Sequence, residues 1–406
     1  MATNFIFDRF SAASTEDPYG LYAQAREEAP VWFAEAYGVW IVSRYADVRR
    51  VLLDPDRFSS AFEIRTPHRP GPGVLDILAT GHREVPALLN EDPPAHRRTR
   101  DLVAQTFGPR RIEALEPRVT EIVTELLDRL EPGQKGDLVT GLAAPLPLLV
   151  ICELIGLPAD DAPRLRAWTQ ELAALTSFGV GPERQRAAAH ASVDFERYLA
   201  AAITDRRAAP RDDLLSDLIA VRADGLAPLT DPELISLLIS LVFAGHETTA
   251  NLIGTALVLL LRRPELWEEI GADPDLVTAV VEETLRMDAP VQGMFRRAVT
   301  DVELGGTTIP AGAQVFVLFA AANRDPAEFA EPDEFRPGRD RVERHLAFGR
   351  GIHFCLGAVL ARTEARAAIL LLRERLPGLR LEEGFRVPYV PHLLHRGPST
   401  LPAVWD

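Results

Sequence analysis

The stretch Phe348-Gly349-Arg350-Gly351-Ile352-His353-Phe354-Cys355-Leu356-Gly357 decides how the 406-residue chain is read. Behind it, from Leu356 to Leu376, Leu, Ala and Arg recur at helical spacing. Cys355 is therefore expected at the mouth of a helix, fed by a loop with glycines at 349 and 351. The orphan N–H groups and positive dipole end of a helix favour an anion, and so a thiolate. Such a thiolate is a metal ligand or a nucleophile. Taken alone, Cys355 is more simply a buried structural thiol, the common state of free cysteine.

The rest of the chain narrows the choice. It is long enough to bury a large core, and no linker divides it, so one domain over residues 1–406 is expected. Composition is that of a globular protein, with 47% hydrophobic and 25% charged residues. The net charge of -15 argues against a nucleic-acid partner. Lys135 is the single lysine, and every other basic side chain apart from histidine is Arg. Two cysteines, Cys152 and Cys355, make no disulfide framework and fit a reducing compartment. Met1 to Arg9 lacks the pattern of a signal peptide. The longest apolar span, Leu234 to Gly245, is 12 residues and too short for a bilayer. A cytoplasmic, monomeric protein off the membrane is expected.

The fold reads as mainly α with a small β portion. Residues 30–42 alternate around Tyr37-Gly38 as a hairpin, and Tyr45 to Leu53 turns helical. From Ser59 to Pro94 prolines break the pattern, and this segment is expected to cover a ligand. Helical spacing follows over Ala95 to Thr106, Ile112 to Leu130, Leu146 to Ile155, Ala162 to Leu175, Gln185 to Arg207 and Asp213 to Arg222. The longest helix starts at Thr230-Asp231-Pro232-Glu233, a cap, a first-turn proline and a capping-box acid, and runs to Arg263. It is apolar on nearly every side, which predicts burial in the core. Short β runs are expected over 301–319 and 379–403.

Four constellations carry chemistry. The cysteine loop is the first. In the second, Ala244-Gly245-His246-Glu247-Thr248-Thr249, polar residues interrupt the long apolar helix. A carboxylate in low dielectric is costly and calls for a reason, and a threonine can bond back to the preceding turn and open the helix to water. An acid and an alcohol there suit proton relay. Glu283 and Arg286, three apart on a helix, form the third. By themselves they are a commonplace pair, and Glu282 is equally spaced to meet Arg286. The fourth, His96 and Arg100, shares one helix face and suits capture of an anionic group.

In this order and spacing the four motifs resemble the cytochrome P450 family of haem-thiolate monooxygenases over nearly the whole chain. Phe348-Gly349-x-Gly351-x-His353-x-Cys355-Leu356-Gly357 matches the family's haem-binding loop. Ala322-Asn323-Arg324-Asp325-Pro326 falls at the expected distance upstream. The resemblance implies haem b lying between the long helix and the cysteine loop, with Cys355 as axial thiolate. That ligand pushes electron density onto the iron and favours O–O cleavage. Gly349 and Gly351 would allow the turn and expose N–H groups to the sulfur. Phe348 would shield the sulfur, Gly357 would let its helix pass close to the macrocycle, and Ala244 falls among the positions that contact the cofactor. His96, Arg100, Arg296 and His353 match positions that hold the propionates, with Arg297 as the neighbour that competes for Arg296's place. Glu247 and Thr248 match the pair that delivers protons to bound dioxygen. Glu283 and Arg286 match a structural pair joined by Arg339, although Arg336 stands where the family often has Asp.

Rival readings have definite tests. The zincin-like start His246-Glu247 requires His at 250, where Ala stands. A dinucleotide loop at Gly349-x-Gly351 requires Gly at 354, where Phe stands. A cysteine hydrolase would need orienting residues that the sequence does not place. A haem sensor of the same fold is the remaining alternative, and Glu247 and Thr248 speak against it.

The resemblance further implies electrons from outside, a ferredoxin with its reductase, docking near Arg97, Arg98, Arg110, Arg350 and Arg362. The pocket is expected to include Ile64, Leu89, Leu175, Phe178, Val242, Val291, Met294 and Leu394, with Arg65, His68 and Arg69 nearby. Its aliphatic lining suits a hydrophobic substrate of moderate size, such as a terpenoid, steroid, fatty acid or macrolide core, for hydroxylation or epoxidation.

Overall fold

The computed structural model describes residues 8–61, 71–82, 85–130, 134–175 and 180–406. Ile64, Arg65, His68, Arg69 and Phe178 lie outside the described residues. The chain divides into two compact units, one of Met1–Ser59, Glu116–Pro147 and Glu247–Asp406, the other of Ser60–Leu115 and Leu148–His246.

The first unit carries the strands. In chain order they are β1 (Val31–Ala34), β2 (Val39–Val42), β3 (Phe58–Ser59), β4 (Lys135–Asp137), β5 (Met294–Ala298), β6 (Val302–Leu304), β7 (Thr307–Ile309), β8 (Gln314–Val317), β9 (Arg380–Leu381) and β10 (Pro402–Val404). The first two form the antiparallel hairpin that the alternation at 30–42 predicts, turning at Gly38 with φ of 66°. They continue into a five-stranded sheet ordered β1-β2-β8-β5-β3. Its apolar face packs with Val48, Phe58, Val317, Phe319, Phe329 and Leu346 into one core.

Two expectations change here. β5 was not legible, because Met-Phe-Arg-Arg-Ala offers no apolar run. It is stitched between β8 and β3 by backbone pairing with sequence-distant partners. Conversely, residues 379–403 form strands only at β9 and β10. The intervening loop is held by isolated backbone bridges, Val291 with His395 and Tyr389 with Pro398, and by side chains such as Arg396, which no alternation announces.

The second unit is helical. Ala95–Thr106 and Ala162–Leu175 lie where the spacing predicts, and Pro182–Ala208 begins three residues before Gln185 because proline suits the first turn. Trp168 of Ala162–Leu175 stacks on Phe195 of Pro182–Ala208, centroids 5.4 Å apart and planes at 19°.

The helix Asp231–Leu261 is continuous over 31 residues. Thr230 and Glu233 cap it reciprocally. The Thr230 amide donates to the Glu233 carboxylate at 2.8 Å, and the Glu233 amide to Thr230 Oγ1 at 3.4 Å. The helix is less buried than its composition predicts, with 44% of its most apolar 18-residue window inside. It also exceeds the 12-residue span counted from sequence. Apolar residues resume beyond Thr249, so the helix is long and apolar enough to cross a membrane, a property that a core helix shares.

Candidate functional site: the cysteine loop and the acid on the long helix

Cys355 precedes the helix Ala358–Arg375, whose N-cap is Gly357. The helix starts two residues later than the apolar pattern suggests, because the loop tightens first. A single 3₁₀ turn, Gly351–His353, leads into the cysteine. The Cys355 amide donates to Phe348 O at 2.9 Å and the Gly349 amide to Leu346 O at 2.9 Å. Gly349 therefore uses its N–H to close the turn, and the expectation that this N–H faces the sulfur is corrected. Gly351 is required twice. Its φ is 73°, and a Cβ there would sit 2.5 Å from Leu52 O.

Phe348 is held from two sides. Phe354 meets it at 6.4 Å between centroids, and the Arg362 guanidinium lies 4.5 Å over its ring. Arg362 also forms a two-pronged ion pair with Glu282, which His345 Nε2 approaches at 3.2 Å. Burial raises the Glu282 carboxyl, but hydrogen bonds and charge from Arg362 and His345 outweigh it and bring it down to about 2. Glu282 thus serves Arg362, leaving Arg286 to Glu283. It also occupies Arg362, one of the arginines expected at a docking face. No local signal marks this pair: Arg362 and Glu282 are 80 residues apart, and only the packing of their two helices brings them together.

Glu283 and Arg286 are both fully buried, bonded side to side at 2.8 Å through each oxygen. Arg339 Nε donates to the same carboxylate at 3.1 Å. Arg336 takes part through its backbone, its amide donating to Glu283 Oε1 at 2.9 Å. Asn323 links this frame to the cysteine loop. Its carbonyl accepts from Arg286 Nη1 at 3.0 Å, and its side-chain oxygen accepts from the Leu346 amide at 2.6 Å. Asp325 receives the Tyr45 amide at 2.8 Å, at the start of the helix Tyr45–Leu52.

In β5 successive side chains alternate, so Met294 and Arg296 share one face and Arg297 takes the other. Arg296 is 7% exposed, and its Nη1 donates to Phe295 O at 2.7 Å. Val291 bridges His395 through the backbone, and Val291, Met294, His353 and Leu394 are all half-buried.

On the long helix His246 and Thr249 are buried, whereas Glu247 and Thr248 are half-buried. His246 Nδ1 meets Val242 O at 2.7 Å and Nε2 meets Thr169 Oγ1 at 3.4 Å, so His246 is a satisfied core residue. Glu247 has 40% of its side chain exposed and lies 3.5 Å from His395 Nδ1. The protein alone does not desolvate this acid, which corrects the argument from burial cost. Val242 is fully buried, whereas Ala244 is exposed.

In the second unit His96 is buried and Arg100 half-buried, four apart on Ala95–Thr106. Arg98 is bound to Glu233 at 2.7 Å and to the carbonyls of Ala227 and Pro228, so it too is engaged. Leu89 is 52% exposed and Leu175 half-buried.

The donor set fits a haem held by thiolate. Of the two thiols, Cys152 is fully buried and its pKa is pushed up to about 12, first by burial and then by Asp161 and Glu153. Cys355 is half-accessible at the end of a glycine loop. Among the described residues no group of three or more His, Cys, Asp and Glu is placed to hold a bare ion. A half-accessible thiol with basic side chains nearby in sequence suits a metal that arrives in an anionic macrocycle.

Comparison with known proteins agrees. The cytochrome P450 family model matches residues 176–375. The cytochrome P450 monooxygenase PikC of Streptomyces venezuelae is 40% identical over 396 residues, covering 96% of this chain and 91% of that protein. The mycinamicin IV hydroxylase/epoxidase of Micromonospora griseorubida is 41% identical over 396 residues, 95% of each. The solved structure of cytochrome P450 CREJ with (4-ethylphenyl) dihydrogen phosphate superposes with a TM-score of 0.92 at 33% identity, covering 98% of this chain and 99% of that one. The chain belongs to the cytochrome P450 family. It is a haem b monooxygenase that takes a small-molecule substrate and electrons from a redox partner.

Proposed function

We propose that Cys355 would hold the haem as its thiolate ligand and that Glu247 and Thr248 would deliver protons to the oxygen chemistry the haem supplies. The observation that carries this is the contrast between the two thiols: Cys355 is half-accessible, whereas Cys152 is fully buried and stays protonated. When bound, the haem supplies reductive activation of dioxygen, with one oxygen atom going to substrate and the other to water. Phe348, pinned by Phe354 and Arg362, keeps water from the sulfur. Arg296 and His353, with His96 and Arg100 by family resemblance, hold the propionates. Arg296 is preferred to Arg297 because it is the buried one, on the Met294 face of β5.

The substrate is a hydrophobic molecule of moderate size, a terpenoid, steroid, fatty acid or macrolide core, undergoing hydroxylation or epoxidation. Half-buried aliphatic Val291, Met294 and Leu394 support this, as does the likeness to a hydroxylase/epoxidase. A ferredoxin with its reductase is the proposed electron source, and the cytoplasm the proposed location. The sensor reading has no comparable support among the relatives. The test is a spin-state titration against a panel of such compounds, with product identification for each binder. Oxygenated product that consumes NADPH supports the assignment. Binding without turnover under every redox partner would support the sensor.

A further inference from the structure

Three polar side chains converge behind the Phe348 ring. Glu282 stands on the helix Leu276–Met287 and Arg362 on Ala358–Arg375, and the two helices pack together. Arg362 Nε donates to Glu282 Oε1 at 2.5 Å and Nη2 to Oε2 at 2.9 Å, so both carboxylate oxygens are engaged. His345 Nε2 lies 3.2 Å from the same Oε2. His345 Nδ1 accepts the Ala347 amide at 3.2 Å, which assigns the imidazole proton to Nε2 and makes His345 a donor to Glu282. The imidazole is buried, and that burial lowers its pKa against the opposing pull of Glu282.

Both partners of Glu282 reach Phe348. The Arg362 guanidinium lies 4.5 Å over its ring, and the His345 ring meets it at 5.9 Å between centroids, planes at 49°. The Phe348 carbonyl in turn accepts the Cys355 amide at 2.9 Å. A continuous chain of contacts thus runs from the Glu282 carboxylate through Arg362 and His345 to Phe348, and from there to the cysteine backbone. Arg362 is the part of this chain with most freedom. Its side chain is 30% exposed, and besides Glu282 it is held by Ala358 O of its own helix at 3.1 Å. A long side chain with many rotamers stays over a ring while its charged head is held.

We propose that Glu282 is a positioning residue for Phe348: through Arg362 and His345 it fixes the ring that keeps water from Cys355, and so sets the reduction potential of the bound haem. The inference rests on the reading of Cys355 as the thiolate ligand. A sulfur screened from water keeps its electron density for the iron, which favours the ferric state. Water bonded to the sulfur withdraws that density and favours the ferrous state.

The test is a redox titration of the haem-loaded wild type, Glu282→Gln and Arg362→Met, with the iron–sulfur stretch recorded for each by resonance Raman. Glu282→Gln removes a negative charge and Arg362→Met a positive one, so direct Coulombic effects on the iron have opposite signs. Acting through Phe348, both variants instead shift the equilibrium toward the ferrous state and lower the iron–sulfur stretch. The shift is roughly tenfold for Glu282→Gln, or about 59 mV for one electron. It is smaller for Arg362→Met, where the lost charge opposes it. In a Phe348→Leu background, where the ring is already gone, neither substitution adds a further shift toward the ferrous state. Opposite shifts in the two variants, no shift, or an undiminished shift in the Phe348→Leu background overturns the proposal. Should one variant load haem poorly, the other decides through its Phe348→Leu cycle. The reduced CO adduct separates the two layers. A thiolate-type Soret band that persists in Cys355→Ser defeats the ligand reading. Loss of that band there, with Glu282→Gln keeping the wild-type potential, defeats only the role of Glu282.

Discussion

Thr248 sits one residue past Glu247, half-buried like it, while the flanking His246 and Thr249 turn into the core. The two polar side chains that remain accessible are thus adjacent on the helix, an acid followed by an alcohol. If they pass protons as proposed, Thr248→Ala leaves haem binding intact and lowers product per NADPH by roughly ten- to a hundredfold, within the range of general acid–base contributions. Peroxide release accounts for the missing electrons. Wild-type coupling in this variant would remove Thr248 from the mechanism. At this scale the sequence was informative where the backbone demands a residue type, as at Gly351 with its φ of 73°. It was uninformative about exposure. Nothing in the string of letters indicates that Glu247 would be 40% exposed or that Val242 would be sealed.

Elements are held here by buried charge. Glu283 makes both oxygens available to Arg286 and one also to Arg339, with no solvent contact. Arg286→Ala would leave the Glu283 carboxylate buried without its principal partner. A loss of about 3–5 kcal/mol follows, read by denaturant unfolding. The neighbouring Glu282 supplies a pH dependence. Its carboxyl is brought down to about 2 in the fold, from the ordinary carboxylate value near ~4.3. Its contribution is therefore complete above the unfolded value and is lost as pH falls toward the folded one. Glu282→Gln should shallow the fall in stability between roughly pH 4.5 and pH 2. An unchanged acid limb would contradict the pairing. The helices were legible because apolar spacing, caps and prolines are local signals. β5 was not, because a five-residue strand with two arginines owes its existence to β3 and β8, which lie far away in the chain.

Across the whole molecule the charge is -15, so attraction of an acidic ferredoxin must come from local arginines. Two of the five arginines expected to supply it are engaged inside the protein, Arg98 by Glu233 and Arg362 by Glu282. Arg350→Glu should slow ferredoxin-driven reduction several-fold at low salt and reduce its salt dependence, in stopped-flow measurements. An unaltered salt profile would move docking elsewhere. The family assignment rests on likeness over nearly the whole chain and on a mainly helical fold shared with solved relatives, and the proposed site converges on one sulfur atom. The decisive measurement is the absorption spectrum of the reduced CO adduct of the wild type, Cys152→Ser and Cys355→Ser. The account predicts the red-shifted Soret band of thiolate ligation in the first two and its loss in Cys355→Ser. Persistence of that band in Cys355→Ser would contradict it.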